Sequence, residues 1–228
     1  MSSSRIRPTT RVSLGAAGDA LGVHPYPPLT ADGAPETAAL AGANPEDGPM
    51  DLEVTTDPEQ MPPPAAVARV YAAAAATAPL SSDPSMVRAF AALYAWARAL
   101  PGAASVTARD GAELVGFGYG YSWDWDSMTD SWSHELRERL GAAAATIEES
   151  FSVVLLAVVP QAQRKGLGRK LLNALVDQAD EDVAWLQAPV GDSPARRLYE
   201  SAGWTELGPG PDSADGVPSV VLVHRRPL

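Results

Sequence analysis

Apolar and polar positions along the chain change period several times, and each change predicts an element. Met50–Thr56 alternates apolar and polar side chains, the period of a half-buried strand. Ala65–Ala78 is an alanine-rich run entered through Pro62, Pro63 and Pro64, which predicts a helix. A second helix is expected over Pro84–Leu100: Asp83 can cap it, Pro84 suits its first turn, and Pro101-Gly102 ends it. Met86, Phe90, Leu93, Tyr94 and Leu100 mark its apolar face. Ser105–Arg109 and Glu113–Tyr121 read as strands joined at Asp110-Gly111, a hairpin signal. Trp123–Asp130 reads as a polar, aromatic loop, and Ser131–Leu140 as a helix closed by Gly141. Phe151–Val159 is almost continuously apolar, as in a strand buried on both faces, and Pro160 stops it. Leu167, Leu171, Leu172, Leu175, Val176 and Ala179 then recur at helical spacing. Val183–Ala188 predicts a strand, Ser193–Ala202 a helix, and Trp204–Leu207 and Ser219–His224 the last two strands. Strand–helix units that follow a mixed pattern predict an α/β layered domain over residues 49–228.

Composition changes the picture at the N-terminal end. Residues 1–48 are rich in Pro, Gly, Ala, Ser and Thr and poor in aromatic clusters. Such a segment buries too little apolar surface to offset its ordering entropy, so a low-complexity, disordered tail is expected, with partner binding as its alternative role. The remaining chain suffices for a core, since 46% of the 228 residues are hydrophobic. Cysteine is absent, which excludes disulfides, zinc–thiolate sites and a cysteine nucleophile. His24, His134 and His224 lie far apart without metal-ligand spacing, so no metal site is expected. The formal net charge of −11 disfavours nucleic acid and anionic membrane partners and attracts cations. No apolar run reaches spanning length and the first eight residues lack a secretory core, so the cytoplasm is the expected compartment.

Candidate chemistry concentrates between the buried strand and the amphipathic helix, at Gln163-Arg-Lys-Gly-Leu-Gly-Arg169. Gly166 and Gly168 permit a tight turn and close approach of a ligand to the backbone. Successive N–H groups at a helix start converge on an anion, so the turn fits a pyrophosphate. Arg164, Lys165, Arg169 and Lys170 supply local cations in an acidic chain. The pattern is neither the dinucleotide fingerprint nor the triphosphate loop, because the third spaced glycine and the Gly-Lys-Ser/Thr ending are missing. Leu156-Ala-Val-Val-Pro160 followed by Gln163-x-x-Gly166-x-Gly168 resembles the coenzyme A motif of the GNAT superfamily of N-acetyltransferases. Asp192-x-x-Ala195-x-x-Leu198-Tyr199-Glu200-x-x-Gly203-Trp204 resembles that family's Asn-x-x-Ala-x-x-Leu-Tyr-x-x-x-Gly-Phe segment. The resemblance runs from Met50 to the C-terminus and is strongest between Phe151 and Gly208.

The resemblance implies a mixed, mostly antiparallel central sheet flanked by helices, with acetyl-coenzyme A as acyl donor. It implies that the backbone of Leu156, Ala157 and Val158 meets the acetyl and pantetheine part, and that Gln163, Arg164, Lys165, Gly166, Leu167, Gly168 and Arg169 hold the pyrophosphate. Tyr199 falls where a tyrosine protonates the departing thiolate. Asp192 falls where an asparagine contacts the pantetheine arm; a carboxylate lacks the amide's donor, so a helix-capping role with Ser193 is its alternative. The positions of the family's strand glutamates carry Ser152 and Gln187, neither a competent base. Glu148 and Glu149 precede the strand, and a water relay is equally open. On the acceptor side, Trp123, Asp124, Asp126 and Trp132, with Asp130, combine aromatic faces and carboxylates that suit a cationic amine. The expected activity is transfer of acetyl to a primary amine of a small cationic molecule, with a homodimer left open. A peptide or protein amine and a non-catalytic acyl-coenzyme A binding module are the alternatives.

Overall fold

In chain order, the computed structural model describes residues 51–76, 83–213 and 216–226. Its first half holds β1 (Asp51–Thr55), α1 (Pro64–Ala74), α2 (Pro84–Ala97), β2 (Ala104–Asp110), β3 (Glu113–Trp123) and α3 (Ser131–Leu140). The second half holds a 3-10 helix (Gly141–Ile147), β4 (Ser150–Val158), a short 3-10 turn (Pro160–Ala162), α4 (Leu167–Asp177), β5 (Val183–Pro189), α5 (Pro194–Ser201), β6 (Thr205–Gly210) and β7 (Ser219–Arg225). The tail expected at residues 1–48 and the expected end of the first helix at Thr77 and Ala78 lie outside the described residues.

The seven strands form one mixed, mostly antiparallel sheet in the order β1-β2-β3-β4-β5-β7-β6. Helices flank it, as expected for the fold class. The first four strands are an antiparallel series, and β4 and β5 are parallel because α4 carries the chain back between them. Side-chain alternation divides the faces. Phe117 and Tyr119 of β3 meet Tyr94 of α2 edge-on, with ring centroids 5.1 and 5.0 Å apart. Gly116, on the opposite face, leaves room for Leu171 of α4. The fully buried leucines Leu171, Leu172 and Leu175 are those picked out by helical spacing.

Three departures from the predicted elements have physical causes. Helix α2 stops at Ala97 rather than Leu100, because its last turn tightens: Arg98 still bonds to Tyr94, but Ala99 and Leu100 reach back only three residues, to Trp96 and Ala97. Leu100 precedes Pro101, which disfavours the helical conformation there. Strand β3 runs two residues past Tyr121, because Trp123 finds a partner in Ser150 at the start of β4. The stretch Gly141–Ile147, unassigned by periodicity, folds as a 3-10 helix that accepts the Trp125 indole N–H at Ala144 O, 3.1 Å away.

Strand β4 also carries one residue more than β3 can match. Val153 faces Gly120 and Leu155 faces Tyr119, so Val154 is the extra residue of a bulge. Gly120 permits it: a Cβ there would lie 2.3 Å from the Ser152 carbonyl oxygen and 2.6 Å from the Phe151 ring. Gly120→Ala is therefore expected to lower stability by about 1–3 kcal/mol through overpacking. Urea unfolding would read this as a lower midpoint, and an unchanged midpoint would show that the bulge yields without strain.

Candidate active site

Parallel pairing between β4 and β5 is limited to Phe151 with Ala184 and Ser152 with Trp185. Both strands continue, β4 to Val158 and β5 to Pro189, so the sheet opens beyond the bulge. Val159 donates its N–H to Val115 of β3, 2.9 Å away. By the alternation of an antiparallel strand, Ala157 also turns its main-chain groups toward β3, while Leu156 and Val158 turn theirs into the opening. Gln163 confirms the sense of Val158, because its Nε2 reaches the Val158 carbonyl from that side at 2.9 Å. The opening thus offers a strand edge with polar backbone groups to an extended ligand. Of the three strand residues assigned to the donor, Leu156 and Val158 face the opening, whereas the Ala157 side chain is buried and its backbone belongs to the β3 ladder.

The basic turn closes the far end of β4. Gly166 has φ 77° and Arg164 has φ 61°, two left-handed residues bracketing Lys165. Only glycine takes that conformation without strain, which explains Gly166 as the residue that leads into α4. Helix α4 has no side-chain cap and no acidic residue in its first turn. Its leading N–H groups at Leu167, Gly168 and Arg169 therefore lack intrahelical acceptors and converge outward. Arg164, Lys165, Arg169 and Lys170 are exposed around them, and Leu167 is buried as the anchor of the helix. The arrangement can hold a multiply charged anion by backbone donors, helix dipole and side-chain charge together.

Tyr199 lies in the middle of α5, half-buried against the core, with its ring 6.1 Å from that of Trp204. The cap of α5 is Ser193, whose Oγ accepts the Arg196 N–H at 3.1 Å. Asp192 does not share the capping; it forms an exposed ion pair with Arg197. The Arg169 guanidinium crosses from α4 to α5, donating to the Ser201 carbonyl at 2.9 Å and to Ser201 Oγ at 2.5 Å. That link had no sequence signal, since the two residues are 32 positions apart. The bulge at Val154 left a fainter one in Gly120 opposite it, the last of the alternating glycines Gly116, Gly118 and Gly120.

The side chains considered as bases are dispersed. Glu148 accepts the Trp125 N–H at 3.2 Å, and Glu149 is exposed at the head of β4. Glu149 precedes Leu156 by seven positions, about 23 Å at roughly 3.3 Å per residue. Gln187 is turned toward the β6–β7 side, where its Nε2 donates to Pro211 O at 2.6 Å and to Ser219 Oγ at 2.5 Å. Ser152 is buried beside Tyr121.

The aromatic segment is built differently from the expected loop. Trp123 is the last residue of β3 and 2% exposed. Its ring lies 5.2 Å from Trp125, 6.3 Å from Trp132 and 4.9 Å from Trp185, in an edge-to-face cluster that belongs to the core. Asp124 accepts the Ser127 N–H at 3.0 Å and the Ser127 hydroxyl at 2.6 Å. Asp130 caps α3 through the Ser133 N–H at 3.1 Å, and Asp126 is exposed. A cavity of about 270 Å³ does adjoin the segment, walled by Leu100, Pro101 and Met128 and edged by Asp124, Glu149 and Glu181. It sits at the end of β4 where the strands are still paired, away from the opening.

The acetyltransferase (GNAT) family model matches residues 68–204. The [ribosomal protein bS18]-alanine N-acetyltransferase of Salmonella typhimurium is 35% identical over 74 residues, which cover 30% of this chain and 50% of that protein. The Escherichia coli K12 enzyme of the same name is 41% identical over 54 residues, 22% of this chain and 36% of that protein. The chain thus matches half the length of these curated relatives or less. Among solved structures, Salmonella typhimurium yncA with acetyl-CoA superposes with TM-score 0.54 at 18% identity, covering 79% of this chain and 96% of that one. PH1933 of Pyrococcus horikoshii superposes with TM-score 0.56 at 17% identity, covering 78% and 100%. These likenesses are likenesses of fold.

Tyr94 and Tyr121, on the face away from α4, are held neutral. Burial pushes the Tyr94 phenol up to about 12, against a smaller opposing effect of Arg98. Burial, then the Asp130 carboxylate, raises Tyr121 as well. Below about pH 10 both folded and unfolded phenols keep their protons. Between that pH and about 12 the unfolded chain releases protons that folded Tyr94 retains. The associated stability is therefore complete below pH 10 and lost as pH rises toward 12. Denaturant midpoints across this range should fall, and Tyr94→Phe should flatten the slope; an unaltered slope would show that Tyr94 titrates normally.

Proposed function

Because the chain belongs to the acetyltransferase (GNAT) family, we propose that it transfers the acetyl group of acetyl-coenzyme A to a primary amine by direct attack in a ternary complex. The observation that carries this reading is the opening between β4 and β5, ending at the uncapped, basic start of α4. The turn at Gln163–Arg169 receives the donor's pyrophosphate. Leu156 and Val158 present their main-chain groups to the amide-bearing arm, as an edge strand would. One of the N–H groups directed into the opening donates to the oxyanion as the amine nitrogen bonds to the thioester carbon. The carbon–sulfur bond then breaks, and Tyr199 gives its phenolic proton to the thiolate, to be reprotonated from solvent. The acceptor nitrogen sheds two protons through water, one from the ammonium before attack and one from the tetrahedral adduct, since the glutamates lie at the wrong end of β4 for the reacting nitrogen and Gln187 cannot act as a base.

The acceptor in this reading is a small cationic amine. The net charge of −11 biases encounter toward cations, and the cavity edged by Asp124, Glu149 and Glu181 joins apolar walls to carboxylates that would hold the acceptor's other charged groups, distant from the amine that reacts. A protein α-amine is a second reading, favoured by the names of the curated relatives.

Two measurements test the proposal. Wild-type protein should release free thiol from acetyl-coenzyme A only when an acceptor is present, and its melting temperature should rise with donor, by mass action. Tyr199→Phe should lower kcat about 10²–10⁴-fold with donor binding kept. A melting shift without thiol release for any acceptor would instead make the chain an acyl-coenzyme A binding module. The acceptor is separated by competing polyamines and aminoglycosides against an alanine-initiated peptide. A polycation should win, and Asp124→Asn or Glu181→Gln should raise its KM; preference for the peptide would establish the second reading.

A further inference from the structure

We infer that the Arg169 side chain is a positioning residue: it sets α5, and with it Tyr199, against the first turn of α4. The inference rests on the reading of Tyr199 above. Helix α5 is short, at eight residues, and none of them is fully buried. Its place therefore depends on a few specific ties rather than on a buried apolar stripe. At its N-terminal end, Arg196 pairs with Glu200 within the helix and with Glu206 of β6, at 2.8 and 3.0 Å. That tie holds α5 to its own wing of the sheet. Arg169 makes the complementary tie to the other wing, since α4 packs on β2, β3 and β4. Its guanidinium donates to the Ser201 carbonyl at 2.9 Å and to Ser201 Oγ at 2.5 Å, at the last residue of α5.

The chemistry suits the place. The last carbonyls of a helix have no intrahelical donors and carry the negative end of the dipole, so a forked cation satisfies both. The approach is close: a Cβ on Gly168, the neighbour of Arg169, would lie 3.3 Å from Leu198 Cδ2. Leu198 and Ser201 are one helical turn apart and face α4, while Tyr199 follows Leu198 by about 100° around the axis. Its ring lies 6.1 Å from that of Trp204. Releasing Arg169 would free the helix to swing and would displace the phenol without removing any atom from it.

This assigns Arg169 a task opposite to that of its neighbours. Arg164 and Lys170 keep their charges for an anion; Arg169 has its fork engaged by neutral acceptors of α5. Arg169→Ala should lower kcat by about 10²-fold, the scale of a displacement near 1 Å, with a much smaller change in the KM for acetyl-coenzyme A. Arg169→Lys keeps the charge but not the fork, and should behave like the alanine variant. In a Tyr199→Phe background Arg169→Ala should add no further loss, because both changes remove the same contribution. Hydrogen exchange on the full chain gives a readout independent of turnover: the amides of Ala195–Ser201 should exchange faster in Arg169→Ala while those of α4 do not. Arg169 is exposed, so the variants should fold. A raised donor KM rescued by lysine would make Arg169 a phosphate ligand and overturn the assignment. Unchanged exchange in α5 would overturn it as well. If wild-type protein releases no thiol at all, the transferase reading fails, while the exchange experiment still decides whether the bridge holds α5.

Discussion

Hydrogen bonding between β4 and β5 ends after Ser152 and Trp185, and the backbone beyond those pairs is left inside the molecule without a partner strand. Polar backbone groups withdrawn from the sheet need other acceptors and donors, or water. The protein meets that need in part itself, through the Gln163 side chain on the Val158 carbonyl. The remainder is what the proposed donor would satisfy. The bulge at Val154 lies just where the strands begin to part, and the tolerance of Gly120 for the Ser152 carbonyl makes room for it. Helices α4 and α5 then stand on the two sides of a gap in a sheet, an arrangement that calls for a tie such as the Arg169 bridge.

Electrostatics divide the molecule in the same way. A chain of net charge −11 gathers Arg164, Lys165, Arg169 and Lys170 on one turn and leaves that helix start free of acidic residues. The aligned peptide dipoles add to these charges. At the other end of β4 the sign reverses, with Asp124, Glu149 and Glu181 around an apolar-walled cavity. The two ends of one strand thus attract opposite charges, which is consistent with a proposed anionic donor and cationic acceptor entering from different directions.

The tryptophans illustrate the limit of reading residue types without burial. Aromatic rings near carboxylates are the ingredients of a cation site, and equally those of a packed strand end. Trp123 and Trp185 are both 2% exposed and meet edge-to-face, so their rings serve the core. Asp124 and Asp130 spend their oxygens on Ser127 and Ser133 at chain turns. The preference of short acids for local backbone and hydroxyl donors explains both contacts.

Local sequence determined what local forces control. Periodicity and capping located α1 to α5 and most of each strand, because the spacing of buried side chains is written residue by residue. The glycines and cations of Gln163–Arg169 marked the turn proposed to hold the donor's pyrophosphate, since a left-handed residue and an uncapped helix start need only their neighbours. Tertiary structure alone decided the extension of β3 to Trp123, the bulge at Val154, the direction of the Leu156 and Val158 backbone, and the tie between Arg169 and Ser201. Each of these depends on a partner tens of residues away, and the chain can specify such a contact only once the sheet has brought the two segments together.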